Sequence, residues 1–543
     1  MNEAIKTLPL GAVQAGKAKE YYRWYVLFML MVIYIFNLVD RQILTILAPY
    51  LKADFGITDA QFGLLFGTTF ALFYGLFGIP LARLVDGWSR VGVLSIGLSF
   101  WSMMTMASGF ATNFMQIAAA RVCVGVGEAS ASPAAISILG DYFPKSMRAT
   151  VLAIYSAGLY IGMGLSLIVG GKIVGVWDGF LGLKGWQATF LLVGAPGLLL
   201  ALLVRITIRE PIRGALDGVK KPFVDPHPFR SVIRETATMF PPWSFFKLRS
   251  AGADKKTMRA NILMFLSCAV GAVLITVATN QLLSPERRAP LGSMGGFLIT
   301  TNLVQWLAIA VGVYATFSWI QSIKFRDKVV HQLIVCTLPF KLVAISSGLL
   351  GTFLYVFGAF SFLYGTRYLG MGPETGLTLG VVNVLASVCG VLLGGGLSDR
   401  AKRLHPAGRL YLLLFVICVF TVATATQYLT DEVNVFLACS AVAIGFLSMY
   451  SPIMLGTSQD LMIPRTRATG SAIITLATNL IGLGMGPYVI GFLSDVTGSL
   501  RWALLSTLLI VPPLLILVAM TIKSLPSAEK SLDERARAMG ENT

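Results

Sequence analysis

Charge is what this chain has least of. Only 13% of its 543 residues are Asp, Glu, Lys or Arg, while 55% are hydrophobic. Several soluble domains of that total length would need far more charge for their surfaces, so a water-soluble multidomain protein is excluded. Histidine is rarer still. His227, His331 and His405 stand in no metal-ligand pattern, and no P-loop for nucleotide hydrolysis is present, so neither a metal centre nor any other cofactor is expected and enzymatic readings lack their chemistry. The six cysteines, Cys123, Cys268, Cys336, Cys389, Cys418 and Cys439, lie in or beside apolar runs without ligand spacing, and are expected to be buried thiols, not disulfides. Acidic residues are outnumbered, 26 against 43, leaving a net charge of +17. No basic patch sits on a recognisable nucleic-acid module, so that excess is not read as nucleic-acid binding.

Long apolar runs are what the chain does have. An uncharged stretch of about 20 residues crosses the hydrocarbon core as a helix. Fourteen such runs are predicted, near 22–48, 60–82, 91–110, 114–140, 149–175, 187–206, 261–283, 295–320, 340–366, 374–398, 409–429, 433–457, 468–494 and 501–522. Backbone groups cannot stay unpaired in lipid, so each is read as a helix despite interior prolines such as Pro133, Pro196 and Pro487. The expected class is therefore an all-α membrane protein. Before Tyr21 stand Lys6, Lys17 and Lys19 without a short apolar core and cleavage site, so no cleaved signal peptide is expected. Most of the 43 basic residues fall on one side of the spans. By the positive-inside rule that side is the cytoplasm, with both termini there, and the excess charge attracts anionic lipids.

The runs divide into six, an interruption, and six more. Residues 1–206 form a first six-helix bundle, 207–260 a cytoplasmic linker rich in proline, 261–330 an inserted hairpin of two spans, and 331–543 a second six-helix bundle with a tail. Phe229 to Thr238 of the linker could form an amphipathic helix on the membrane surface, with Arg230 and Arg234 towards headgroups, or be a loose tether. The hairpin is expected to fill space between the bundles; a dimer contact or a lipid-facing gate is the sharper reading.

The two bundles repeat each other's loops. Ala82-Arg83-Leu84-Val85-Asp86 with Arg90 is answered by Gly395-Gly396-Leu397-Ser398-Asp399-Arg400. Phe143-Pro144-Lys145-Ser146-Met147-Arg148-Ala149-Thr150 is answered by Ile463-Pro464-Arg465-Thr466-Arg467-Ala468-Thr469. Duplicated membrane halves are the mark of transporters that rock one half against the other around a central site. A receptor or scaffold acting through the basic linker would need no such frame.

Charges inside the spans mark where that site should be. An ionisable group at mid-span costs at least ~2.5 kcal/mol and so calls for a partner or a purpose. Asp40 and Arg41 lie deep in the first span, and Arg121 reaches a similar depth in the fourth. Glu128 follows Arg121 by two helical turns on the same face. The second half has no matching buried charges; it offers Tyr355, Phe360 and Arg367, then Met449 and Tyr450. Charge on one side and aromatics on the other suit an amphiphile, although aromatic spans are also ordinary packing material. Arg367 could attract an anionic headgroup or simply snorkel to the interface.

The doubled Asp-Arg loop, Arg121-x-x-x-Gly125 and Gly482-x-x-x-Gly486-Pro487 resemble signature motifs of the major facilitator superfamily. Asn37-Leu38-Val39-Asp40-Arg41 and the stretch from Arg121 to Glu128 look like its spinster branch, whose members are linked to lysosphingolipids and lysophospholipids. The first of these motifs is also similar to one in organic anion–cation symporters. Ala82, Gly87 and Ser89 depart from the usual loop, which puts in doubt how tightly it locks.

The resemblance implies a monomeric transporter of a bacterial plasma membrane. It works by alternating access, coupled to protons, on a lysolipid-like amphiphile among membrane lipids, or alternatively on small organic anions. It also implies that the first and fourth spans line the cavity. Glu128 is then the first choice for the proton-carrying acid, beside Arg121, and Asp40 the second, unless the four charges are only a structural cluster. The loop acids would latch the cytoplasmic side. Asp86 would face the start of the 468–494 span and Asp399 the start of the 149–175 span, with Arg90, Arg148, Arg400 and Arg467 completing the charge networks.

Overall fold

The computed structural model describes residues 10–144, 147–179, 182–213, 226–284, 287–288, 290–294, 297–463 and 466–541. Lys6, Lys145, Ser146, Pro464, Arg465 and the linker stretch 214–225 lie outside the described residues. Among those described, fourteen helices are long and apolar enough to cross a membrane.

In chain order the first six are α1 (Leu10–Phe55), α2 (Asp59–Gly87), α3 (Arg90–Ser108), α4 (Phe114–Tyr142), α5 (Arg148–Val176) and α6 (Gly185–Thr207). Two short linker helices follow, α7 (Pro228–Thr236) and α8 (Trp243–Ser250). The inserted pair is α9 (Lys255–Leu282) and α10 (Thr301–Arg326). The last six spans are α11 (Leu338–Tyr368), α12 (Pro373–Leu404), α13 (Gly408–Leu429), α14 (Val433–Gln459), α15 (Thr469–Thr497) and α16 (Leu500–Lys530). One end of the molecule carries the linker and the basic loops, and is called the basic end below; the other is the opposite end.

Several helices run past their apolar cores, because a charged turn at the interface continues the backbone ladder in water. Lys324 and Arg326 end α10, and Lys402 and Arg403 end α12. One expected span differs at its start. Residues 295–300 were counted into a helix by hydropathy, but Phe297–Thr300 is a strand paired antiparallel with Pro290–Met294. The helix waits for Thr300, whose hydroxyl accepts the Leu303 N–H at 3.2 Å.

The thiols also differ from expectation. None of the six cysteines is buried: Cys336, Cys389 and Cys418 are exposed and the others half-buried. A face pointing at hydrocarbon satisfies a thiol as well as a packed core does.

Two spans are locally underwound. Leu64–Thr68 of α2 and Thr478–Leu483 of α15 are π-helical, and they face each other. There α2 and α15 touch backbone to backbone. A Cβ on Gly67 would stand 2.3 Å from the Leu483 carbonyl oxygen, and one on Gly491 would stand 2.1 Å from that of Asp59. Glycine is required at both places because any side chain would force the halves apart.

Candidate functional site

The four span charges meet, and they pair crosswise. Arg121 Nη1 donates to Asp40 Oδ1 at 3.0 Å, and Arg41 Nη2 donates to Glu128 Oε2 at 2.9 Å. All four are buried, Arg121 and Glu128 completely. From sequence, Arg121 was expected to be Glu128's positive neighbour. Instead Arg41 takes that place, because Arg121 sits level with Asp40 while Glu128 lies two turns further along α4. Asp40 is held a second time by the Thr105 hydroxyl of α3. Glu128 Oε1 has no hydrogen-bond partner among the described residues. The Arg41 guanidinium lies 4.2 Å from the Phe70 ring centroid and 4.9 Å from that of Tyr74. Aromatic faces stabilise a cation that has left water.

Glycine spacing creates this arrangement. A Cβ on Gly125, one turn after Arg121, would come within 2.7 Å of the Phe70 carbonyl oxygen, so α4 can lie against α2 only as glycine. That contact places the Phe70 ring under Arg41. The regular helix of α4 is interrupted directly after Glu128, at Ala129 and Ser130.

One residue beyond Arg41 along α1, Gln42 lines a chamber between the halves. Gln42, Thr45 and Asn383 contribute polar groups, and Leu354, Phe357 and Ile444 apolar ones. The sequence-predicted contacts scatter around it. Tyr355 lies near enough to Arg41 to feel its charge, and Tyr450 lies near Tyr355. Phe360 is buried edge-on against Phe62, their centroids 5.7 Å apart, and Met449 packs on Gly394; both are core packing.

Arg367 is not in the chamber at all. It donates to both oxygens of Asp59 at 2.9 Å, joining the two halves at the opposite end. Lys52 Nζ at 2.5 Å and Ser494 Oγ at 2.6 Å complete the set around Asp59. Asp495 accepts the backbone N–H groups of Asp59 and Ala60 at 3.1 and 2.9 Å. A carboxylate at a helix N-terminus is stabilised by the dipole and the free N–H groups. Asp59 and Asp495 were missed because each sits at a span boundary, where charge is ordinary. The inserted pair reinforces this closure: Gln305 of α10, wholly buried, donates to the Gly484 carbonyl at 3.1 Å, and Thr68 lies 2.5 Å from both Gln305 Oε1 and that carbonyl.

At the basic end each half keeps its loop charges to itself. Asp399 accepts from Arg409 at 3.0 Å within the second half, and the exposed Asp86 carries Arg213 of the linker on its backbone carbonyl. Neither acid reaches the helix start expected for it, since the halves are joined at the other end. Buried Arg90 binds Asp141 and Glu210, the latter at 2.7 Å. Burial pushes the Glu210 carboxyl up, but the Arg90 and Val91 hydrogen bonds outweigh it and hold it below the usual range. Arg148 donates to the Gly140 carbonyl at 2.6 Å, closing the end of α4. Arg400 and Arg467 are exposed and make no ion pair among the described residues. The residue that answers Arg90 is Arg409, not Arg400: it donates to Asp460 at 2.6 Å across the same 51-residue interval that separates Arg90 from Asp141. That equal interval was the available signal.

Two six-helix halves, joined at one end around buried charge, make the frame of a membrane transporter. The same fold is seen in a bacterial homologue of the human lysosomal transporter Spinster in its inward-facing, unoccupied conformation. That chain is 22% identical, with a TM-score of 0.65, and the match covers 95% of this chain and 98% of that one. The POT family transporter PepTSo, at 12% identity and a TM-score of 0.63, is matched over 93% of this chain and 98% of its own. Residues 30–487 match the family described as Major Facilitator Superfamily, and the chain belongs to it. An MFS-type efflux pump of Mycolicibacterium smegmatis is 24% identical over 472 residues, 87% of this chain and 84% of the pump. Spinster homolog 1 of Xenopus laevis is 32% identical over 194 residues, 35% of this chain and 36% of that protein. A probable L-galactonate transporter of Escherichia coli is 26% identical over 198 residues, 36% of this chain and 42% of that protein. The last two likenesses cover well under half of either relative.

Proposed function

We propose that this transporter moves an anionic amphiphile by proton-coupled alternating access, with Arg41 and Glu128 as the coupling pair. The observation that carries the reading is the shared geometry of those two residues. Glu128 holds Arg41 with one oxygen while its other oxygen has no partner among the described residues, and Gln42, the next residue along α1, lines the chamber between the halves. Breaking a buried ion pair from one side leaves a charge that costs about 3–5 kcal/mol. A proton arriving on Glu128 therefore frees Arg41 to take an anionic headgroup, and its departure restores the pair and expels the anion. The chamber's apolar wall of Leu354, Phe357 and Ile444 suits the rest of an amphiphile. The basic end faces the cytoplasm, both termini with it, so the conformation is inward-facing and the membrane is a bacterial plasma membrane.

Asp40 and Arg121 serve as the fixed neighbour pair. The competing cargo is a small organic anion, favoured by the galactonate transporter among the relatives. A thermal-shift screen of the purified protein against lysolipids and small carboxylates separates the two, since a ligand stabilises the state it binds. Stabilisation by lysophospholipids, absent with carboxylates, is expected; the reverse pattern would give the site to a soluble anion. With a ligand in hand, Glu128→Gln should retain binding and lose accumulation driven by an imposed pH gradient. Full gradient-driven uptake by that variant moves the proton site elsewhere.

A further inference from the structure

The linker does more than join two halves. Helices α7 and α8 pack beside the last turns of α2 and α10, and the four elements enclose a pocket lined by Arg83, Arg234, Lys247 and Arg326 against only Asp86 and Glu235. The acids do not neutralise it. Glu235 is buried and committed: Arg326 donates to its two oxygens at 2.7 and 3.0 Å, and the Trp319 indole at 3.0 Å. Burial pushes the Glu235 carboxyl up, yet the Arg326 hydrogen bonds outweigh it and keep the group below its usual range. Arg83 reaches Glu235 only at 4.0 Å, and Arg234 and Lys247 make no ion pair among the described residues. Arg234 and Lys247 thus face the space with no settled counter-charge, while Arg83 shares it with Asp86, whose charge it offsets.

The pocket's level in the fold says what kind of anion it meets. Arg83 and Asp86 stand at the end of α2, and Arg326 is the last residue of α10, so both spans finish there and the pocket lies at the membrane–water interface. The two linker helices that flank it carry uncovered apolar side chains: Trp243 and Phe246 of α8 are 59% and 67% exposed, and Phe229 and Ile233, on the face of α7 turned away from the pocket, are 57% and 69% exposed. A dissolved anion has no use for such a surface, whereas a lipid lays its glycerol and upper chain region beside it. Short helices with aromatic and basic side chains interleaved lie in this way at anionic bilayer surfaces.

We propose that this pocket binds the phosphate headgroup of an anionic phospholipid from the leaflet at the basic end, with Arg83, Arg234 and Lys247 as its ligands. The bound lipid is a resident of the linker and not the transported cargo, so the site stands or falls apart from the coupling pair.

The test uses the full chain in a neutral detergent, titrated with phosphatidylglycerol, phosphatidylcholine or inorganic phosphate and read by native mass spectrometry. Each basic residue at an anionic lipid surface is worth about fivefold in binding, so Arg234→Gln with Lys247→Gln should weaken phosphatidylglycerol about 25-fold. Arg230→Gln with Arg249→Gln removes the same charge from the same two helices outside the pocket and should leave binding nearly unchanged. All four positions are exposed, so neither pair threatens folding. The swap Arg234→Lys with Lys247→Arg should bind as the natural chain does. Equal losses from the two pairs would show diffuse surface attraction and overturn the site. So would phosphatidylcholine binding as tightly as phosphatidylglycerol, or inorganic phosphate displacing the lipid at equal concentration.

Discussion

The two halves share a frame and differ in what they bury. Arg90 with Asp141 in the first half and Arg409 with Asp460 in the second make the same bond between corresponding helices at the same chain interval. Counting back from those aspartates by equal steps, Arg121 and Glu128 of α4 correspond to Ser440 and Leu447 of α14. Ser440 merely bonds Asn383 at 2.9 Å, and Leu447 is buried core. Loop charges in water are cheap, so the duplicated loops could persist as a conformational device. Span charges are expensive, and only one half carries such a set at these positions.

The largest expected difference between the halves is at these corresponding positions. Arg121→Ala leaves the Asp40 carboxylate buried without its cation and should cost about 3–5 kcal/mol, seen as protein that loses monodispersity on mild heating. Ser440→Ala removes a neutral hydrogen bond and should cost about 1 kcal/mol. Equal losses would mean that Asp40 takes up a proton or a new partner without penalty.

Next come the paired arginines. Arg90→Ala takes the shared cation from Asp141 and Glu210, whereas Arg409→Ala releases Asp399, whose side chain is already 68% exposed, and leaves Asp460 still held by Lys402 at 3.1 Å. Thermal unfolding should drop further for Arg90→Ala, by about 1 kcal/mol more, because it removes charge-assisted hydrogen bonds from a fully buried guanidinium while a second cation backs Asp460 in the other half. A third contrast sets the two ends against each other. Asp59→Asn weakens the contact to Arg367 and should shift the population away from closure at the opposite end by about tenfold for each 1.4 kcal/mol lost. Asp399→Asn removes a carboxylate that the loop repeat proposes as a latch of the other state, and should leave this conformation favoured. Spin-label distances across both mouths read the two variants; no change in either removes conformational meaning from these carboxylates.

The smallest effect is the pH dependence of the Glu210 strap. Its carboxyl is held below the ordinary value, so its stabilisation is fully present above about 4.3 and disappears as pH falls through the lowered value. Glu210 is partly exposed, so the amount is under about 1 kcal/mol. The difference in thermal midpoint between the natural chain and Glu210→Gln should therefore be present at neutral pH and shrink in acid. A gap that stays constant would show that packing, not charge, holds the strap.

Much of this architecture was readable from residue patterns because the bilayer enforces them. Fourteen apolar runs became fourteen helices, and Phe297–Thr300 differed only because hydropathy cannot tell a short strand from a helical turn. Asp40, Arg41, Arg121 and Glu128 were conspicuous for being charged at mid-span. Asp59, Asp495 and Gln305 were not, since a polar group near a span end or in a spare helix looks like ordinary interface.

The chain by itself determined its solvent, its spans, its internal repeat and the identity of its costly charges, because each depends on local composition and spacing along one helix. Tertiary structure alone decided that Arg41 and not Arg121 holds Glu128, that Arg367 closes the opposite end instead of reaching for a headgroup, and that the loop acids stay within their own halves. Those outcomes depend on which helix faces run level with one another. That is set by glycine contacts such as Gly125 on Phe70 and Gly67 on Leu483, where close backbone approach fixes the vertical register to within a fraction of a turn.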